Sequence, residues 1–185
     1  FQTVIQYLFF YVGLAHTTGV KASIIEASNV FVAILIASLI FRQEKLDKHK
    51  IIGCIAGFAG VVLININQSG LDMSLSLTGE GFILLSTIAY AVSSVLIKIY
   101  SREDNPVMLS GWQFLLGGII MILCGYLTGG SVSVWTAPSI SMLFYLAAVS
   151  AVAYSLWGIL LKLNPVSKVA VFGFMNPVFG VILSA

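Results

Sequence analysis

Residues 22–41, ASIIEASNVFVAILIASLIF, decide the fold class of this chain. They contain a single charged side chain, Glu26. An α-helix of about 20 apolar residues, rising 1.5 Å per residue, spans the ~30 Å of hydrocarbon in a bilayer. The run shows no strict alternation, and it is longer than the ~9–11 residues of a transmembrane strand. It therefore predicts a membrane-spanning helix.

The rest of the chain follows the same pattern. Of the 185 residues, 59% are hydrophobic and 9% are charged, whereas about 25% are charged in a soluble domain. Seven apolar runs alternate with polar connections, at residues 1–15, 22–41, 51–66, 81–99, 107–127, 140–161 and 166–185. Because lipid offers no hydrogen bonds to a backbone, we expect an all-α, polytopic membrane helix bundle with seven helices.

The basic residues predict the orientation of these helices. Consecutive spans alternate direction, so the first, third and fifth connections share one side, and the second, fourth and sixth share the other. Eight of the nine Lys and Arg residues lie on the second side, and Lys21 alone lies on the first. The positive-inside rule makes the second side cytoplasmic, with residues 42–50 as a solvated loop near lipid headgroups. We expect a multi-pass protein of the bacterial plasma membrane.

Several classes of function are disfavoured. The basic residues form no cluster that would bind nucleic acid. Cys54 and Cys124 lack the paired spacing of a zinc site, while His16 and His49 fall on opposite sides of the membrane. No Asp, His or H-E-x-x-H motif lies in any apolar run, and no P-loop is present. The sequence therefore predicts no catalytic, metal or cofactor site.

An internal repeat relates the two ends of the chain. An ungapped shift of 147 residues places residues 6–38 over residues 153–185, with most positions pairing apolar with apolar. The identical pairs are Tyr7 with Tyr154, Lys21 with Lys168, and Asn29 with Asn176. The copies start five spans apart, so they cross the membrane in opposite directions. Inverted repeats are typical of secondary transporters that bind solute near the bilayer midplane.

Three motifs resemble a known family. They are FRQEKL at residues 41–46, the glycine-rich IGCIAGFAGVVL at residues 52–63, and NPVF at residues 176–179. They are similar to the EamA-type members of the drug/metabolite transporter superfamily, which have a Glu after the fourth helix, a glycine-rich fifth helix and a Pro-Val-Phe stretch in the ninth. The first copy has Val30 where the second has Pro177, so the two helices are not matched at that position.

The resemblance implies ten helices in two inverted halves of five. Residues 1–66 would be helices 3–5 of the first repeat and residues 81–185 would be helices 6–9 of the second, with two spans before the chain and one after it. It also implies a transporter of small organic metabolites or drugs, an exporter that works by alternating access and is coupled to an ion such as a proton. The alternative is a membrane scaffold or subunit without transport of its own. The oligomeric state stays open.

Glu26 is the first candidate for a role in transport, because it is the only acidic residue inside an apolar run. An ionisable group in hydrocarbon costs at least about 2.5–3.5 kcal/mol, so it normally faces a cavity or a partner. We interpret Glu26 as a substrate or proton site. The alternative is that Glu26, about one turn inside the outer end of its helix, reaches water and complements the helix dipole.

Other candidates are polar or aromatic residues of the apolar runs. Asn29 shares a helix face with Glu26. Its repeat partner Asn176 precedes Pro177, which should kink its helix and free a backbone acceptor, unless Asn176 only bonds a neighbouring helix. Transporter pockets mix aromatic walls with few polar groups, and the aromatic or amide candidates are Gln113, Tyr154, Tyr7, Tyr90, Trp112 and Trp157. For these, simple packing or an interfacial position is the alternative.

Glycines of the third run predict a helix-packing face. Gly53, Gly57 and Gly60 recur at i, i+4 and i+7 and permit close approach of another backbone. The neighbour is either another helix of the chain or a second protomer.

Overall fold

A computed structural model describes residues 2–66, 77–130, 136–176 and 179. These residues form seven helices and no strand, as the hydropathy predicts. In chain order, α1 is Gln2–Gln6, a π-helical turn, continued by Tyr7–Leu14; α2 is Gly19–Ala27, Asn29–Leu35 and Ile36–Ile40; α3 is Lys48–Ile66; α4 is Glu80–Tyr100; α5 is Pro106–Leu127; α6 is Ala137–Leu163; and α7 is Val166–Ala170 followed by the 3₁₀ turn Val171–Phe174.

Four stretches within these helices are long and apolar enough to cross a bilayer. They are Lys21–Ile40, Glu80–Tyr100, Pro106–Leu127 and Ala137–Leu163. Local signals set where helices begin: the Asn105 side chain accepts a hydrogen bond from the Val107 N–H at 2.9 Å, and Pro106 occupies the first turn, where its missing N–H costs nothing. The outer faces of α5 and α6 carry exposed apolar side chains, as lipid contact requires.

Contacts between connections agree with the predicted alternation of sides. The Thr17 hydroxyl donates to Glu80 at 2.8 Å, which brings the first and third connections together. The Ser167 N–H donates to Glu44 at 3.2 Å, which brings the second and sixth together. The Lys162 ammonium donates to the Asp104 carbonyl at 3.2 Å, so the fourth connection lies beside the end of α6.

The chain divides into two compact units. The first contains Phe1–Leu96 and Asn164–Ala185, and the second contains Ile97–Leu163. The first is built around a buried face of α2, on which Val30, Ala33 and Ala37 follow helical spacing and are at most 2% exposed. In the second, α5 packs on α6, where a Cβ at Gly158 would lie 3.2 Å from the Cβ of Pro106.

Two helices of the first unit are irregular at positions that the repeat relates. In α2 the α-helix is interrupted at Ser28, whose hydroxyl donates to the Ile25 carbonyl at 2.5 Å. In α7 the α-helix gives way to the 3₁₀ turn Val171–Phe174, and the shift of 147 residues maps that turn onto residues 24–27. Both copies therefore depart from α-helix near the same point, although Pro177, the predicted cause of the kink, lies outside the described residues.

Candidate functional site

In the first unit, a tyrosine on α4 lies close enough to ionisable side chains on two other helices to interact with them electrostatically. Tyr7 lies on α1, Glu26 on α2 and Tyr90 on α4, and Tyr90 interacts electrostatically with both of the others. Helix α2 begins at Gly19, three residues earlier than the apolar run predicts. Glu26 therefore lies about two turns inside its helix, not one. We call Tyr7, Glu26 and Tyr90 the central cluster.

Buried polar atoms accompany the central cluster on the same helices. On α1, Gln2 is fully buried and its side-chain oxygen accepts a hydrogen bond from the Ser93 hydroxyl at 3.4 Å. Further buried oxygens without a hydrogen-bond partner among the described residues include Thr3 Oγ1 and Gln6 Oε1 on α1 and, one turn from Glu26 on α2, Asn29 Oδ1. A buried polar atom without a partner costs about 1–3 kcal/mol, so water or a solute would stabilise these helices by supplying donors.

Sequence reasoning named Glu26 and Asn29 but missed the polar face of α1. Gln2 and Gln6 are one helical turn apart in an otherwise apolar run, and this i, i+4 pair of amides is the signal that would have found them. Amide groups within a membrane span need partners, so two on one helix face indicate a polar interior.

The other predicted pathway residues lie elsewhere. Asn176 is exposed and follows α7 by two residues, in the first unit, and Pro177 is outside the described residues. Gln113 on α5 and Tyr154 on α6 belong to the second unit. There the ring of Tyr154 packs edge-on against Phe114, with ring centres 4.9 Å apart.

Of the three glycines predicted to form a packing face, Gly57 makes a close approach. A Cβ at Gly57 would lie 2.5 Å from Cε2 of Phe174. Because Gly57 has no side chain, the Phe174 ring of α7 can pack against α3. No described atom lies within 4 Å of a Cβ placed at Gly53 or Gly60. The neighbour at Gly57 is thus a helix of the same chain.

The connection after α2 is not simply a solvated loop, which corrects the expectation for residues 42–50. Arg42 follows the end of α2 with a φ of 49°, and the Gln43 N–H donates a hydrogen bond to the Ala37 carbonyl at 2.8 Å. A helix-ending turn of this kind usually has Gly at the position of positive φ. This turn directs Glu44 inward, and its side chain is only 7% exposed. Other side chains of the loop, such as Lys45, are exposed.

Glu44 is hydrogen-bonded to the first turn of α7. It accepts hydrogen bonds from the backbone N–H and the hydroxyl of Ser167, and it pairs with the Lys50 ammonium at 2.9 Å. Burial disfavours the charged carboxylate, but the hydrogen bonds from Ser167 and the Lys50 charge outweigh it and lower the pKa of Glu44. The carboxylate is therefore ionised at neutral pH.

Glu80 occupies a corresponding position on the opposite side. Its side chain is 9% exposed, and it accepts from Thr17 at 2.8 Å and pairs with Lys21 at 3.4 Å. The close approach of Gly79 allows this arrangement, since a Cβ at Gly79 would lie 2.6 Å from the His16 carbonyl oxygen. Within the described residues, no group of His, Cys, Asp and Glu could hold a metal ion.

Comparison with known proteins identifies the family. The EamA-like transporter family matches residues 1–66 and 77–185. An uncharacterized transporter of Archaeoglobus fulgidus is 31% identical over 184 residues, covering 96% of this chain and 62% of that protein. The uncharacterized transporter YvbV of Bacillus subtilis is 28% identical over 150 residues, covering 80% of this chain and 48% of that protein.

A WAT1-related chloroplastic protein of Arabidopsis thaliana is 25% identical over 179 residues, covering 92% of this chain and 43% of that protein. No solved structure matches the chain significantly. The chain spans about half the length of the curated relatives that it matches. Its motifs, its apolar helices and these matches agree, and the chain belongs to the EamA-like transporter family of multi-pass membrane proteins.

Proposed function

We propose that this chain forms much of the solute path of an exporter for small organic metabolites or drugs, working by alternating access around the central cluster. The observation that carries the proposal is that Tyr90 on α4 lies within electrostatic range of Tyr7 on α1 and of Glu26 on α2. Aromatic walls combined with a few polar groups are typical of solute-binding pockets. The repeat, with its two irregular helices, supports the same mechanism.

Glu26 is the group of the cluster that we expect to bind a proton or a solute. The salt bridges among the described residues do not include it, so no described Lys or Arg neutralises its charge. A carboxylate without a cation partner within a membrane span is costly, and binding a proton or a positively charged group relieves that cost. Glu26 is exposed in the structure, so the alternative that it reaches water near the helix end stands beside this proposal.

Residues of the second half of the chain complete the proposal. Gln113, Tyr154, Asn176 and Pro177 stay candidates for the path, and residues 1–66 and 81–185 stay assigned to the two inverted halves of a ten-helix protein. The loop basic residues place α2 with its C-terminal end in the cytoplasm, and we propose the bacterial plasma membrane as the location.

The test is solute flux in vesicles that contain the full-length protein. A panel of amino acids, sugars and lipophilic cations would be screened for movement that depends on the protein, at several pH values. With a solute found, Glu26→Gln is expected to reduce flux at least ~10-fold and to flatten its pH dependence, since the amide cannot ionise. Glu103→Gln, at an exposed acid of the fourth connection, is the matched control and should leave flux unchanged.

Two results would contradict the proposal in different ways. Unchanged, still pH-dependent flux in Glu26→Gln would remove the role of Glu26. No protein-dependent movement of any solute in the panel would favour the membrane scaffold.

A further inference from the structure

The carboxylates of Glu80 and Glu44 bind residues at the beginnings of α2 and α7, the two helices that the repeat relates. At the start of α2, Glu80 binds Thr17 and Lys21. At the start of α7, Glu44 binds Ser167, which precedes Lys168, the repeat partner of Lys21. The two contacts are therefore made at equivalent positions of the two copies.

The contacts lie at opposite ends of α2. Glu80 is beside the beginning of α2, and Glu44 follows its end. Helix α7 runs antiparallel to α2, because Ser167 at its start meets Glu44, whereas a Cβ at Gly173, further along, would lie 3.6 Å from Val30 in the middle of α2. Opposite ends of one spanning helix face opposite sides of the membrane.

Both contacts are suited to opening and closing. They join segments far apart in sequence, 63 residues for Thr17 with Glu80 and 123 for Ser167 with Glu44. The bonds that join the segments are hydrogen bonds and, for Glu80, an ion pair with Lys21, while the apolar residues Val166 and Val169 beside Ser167 are also buried. Water replaces such bonds when the groups separate, so the net free energy of breaking them is small compared with that of pulling an apolar core apart.

We infer that Glu44 and Glu80 are gating residues, and that the contact of Glu44 with Ser167 closes the basic side while the contact of Glu80 with Thr17 and Lys21 closes the opposite side. The inference rests on the proposed alternating-access function. In that cycle one contact breaks while the other holds, and the structure described here has both formed.

The test measures from which side the interior can be reached. The full-length protein would carry Ser93→Cys, near the middle of α4, in a background with Cys54→Ala and Cys124→Ala. A membrane-impermeant maleimide would be added to right-side-out and to inverted vesicles. Glu44→Gln is expected to raise labelling of the reporter at least ~5-fold from the basic side only, and Glu80→Gln from the opposite side only.

Controls separate gating from folding. Asp47→Asn, in the same loop as Glu44 but exposed, should leave labelling unchanged. Ser167→Ala should give the same labelling as Glu44→Gln, and Lys21→Gln the same labelling as Glu80→Gln. These two variants replace the Glu variants in the test if a Glu variant does not fold.

Any of three results would show that the contacts are structural and would overturn the inference. They are labelling that rises from both sides of the membrane in one variant, labelling that rises from the same side in Glu44→Gln and Glu80→Gln, and labelling that changes in neither. Flux that still requires Glu26 in those cases would leave the proposed function intact.

Discussion

At the scale of single residues, Glu26 and Glu44 show how the surroundings assign different roles to the same side chain. Glu44 is outside the spans and surrounded by donors from Ser167 and by the Lys50 charge, so its ionised form is stabilised. Glu26 lies within a span, on an exposed position, and interacts electrostatically with Tyr90. Only Glu26 was identifiable as a candidate from the sequence, because a charge in an apolar run is visible in the sequence. The partner of Glu44 is 123 residues away.

A prediction at this scale concerns Gly57. Replacing it with Ala puts a Cβ 2.5 Å from the Phe174 ring, which must shift, and overpacking of this kind costs about 1–3 kcal/mol. Gly53→Ala on the same helix is the control, because no described atom lies within 4 Å of its Cβ and Ala favours a helix. Thermal unfolding in detergent should show a lower midpoint for Gly57→Ala than for Gly53→Ala. Equal midpoints would show that the ring moves away freely.

At the scale of helices, the interruption of α2 at Ser28 is the feature that hydropathy could not predict. Residues 22–41 are apolar throughout except near Glu26, so the sequence predicts one continuous helix there. The structure divides it between Glu26 and Asn29. The Ser28 hydroxyl competes with backbone N–H groups for the Ile25 carbonyl, and serines bend helices in this way. The irregularity is local, because Ser28 keeps helical dihedral angles and the Val32 N–H still donates to the Ser28 carbonyl at 3.1 Å.

Replacing Ser28 with Ala tests whether this interruption matters for transport. The variant loses the bond to Ile25, and Ala is a better helix former by roughly 0.5 kcal/mol, so α2 should become more regular without loss of stability. We expect flux to fall a few fold while the unfolding midpoint is unchanged or higher. Ser38→Ala, whose hydroxyl has no described partner, is the control on the same helix and should leave flux unchanged. Full flux in Ser28→Ala would mean that the interruption is incidental.

At the scale of the whole molecule, the connections between helices are predicted to alternate between the two sides of the membrane. The alternation of consecutive spans predicted which connections share a side. Three contacts bring connections together accordingly, between Thr17 and Glu80, Glu44 and Ser167, and Lys162 and Asp104. The compact units do not coincide with the repeats assigned from the sequence, since α7 belongs to the same unit as α1 to α3. The repeats are defined by similarity of sequence, whereas the compact units are defined by which helices are in contact.

Cysteine labelling tests the predicted sides. In a background without Cys54 and Cys124, single cysteines at Leu77, Lys45 and Glu103 occupy exposed positions of the third, second and fourth connections. An impermeant thiol reagent should label Leu77→Cys from one side of the membrane, and Lys45→Cys and Glu103→Cys from the other. Labelling of Leu77→Cys and Lys45→Cys from the same side would refute the alternation.

The sequence by itself determined that this chain is built of apolar helices with one charge inside an apolar run, and it predicted the sides of their connections. These features follow from free energies of transfer between water and lipid, which sum along each segment without reference to any other. Only the tertiary structure decided that Tyr90 lies near Tyr7 and Glu26, that Phe174 packs against Gly57 and that Glu44 accepts hydrogen bonds from Ser167. Such meetings depend on how helices distant in sequence pack, and hydropathy carries no information about which faces will touch.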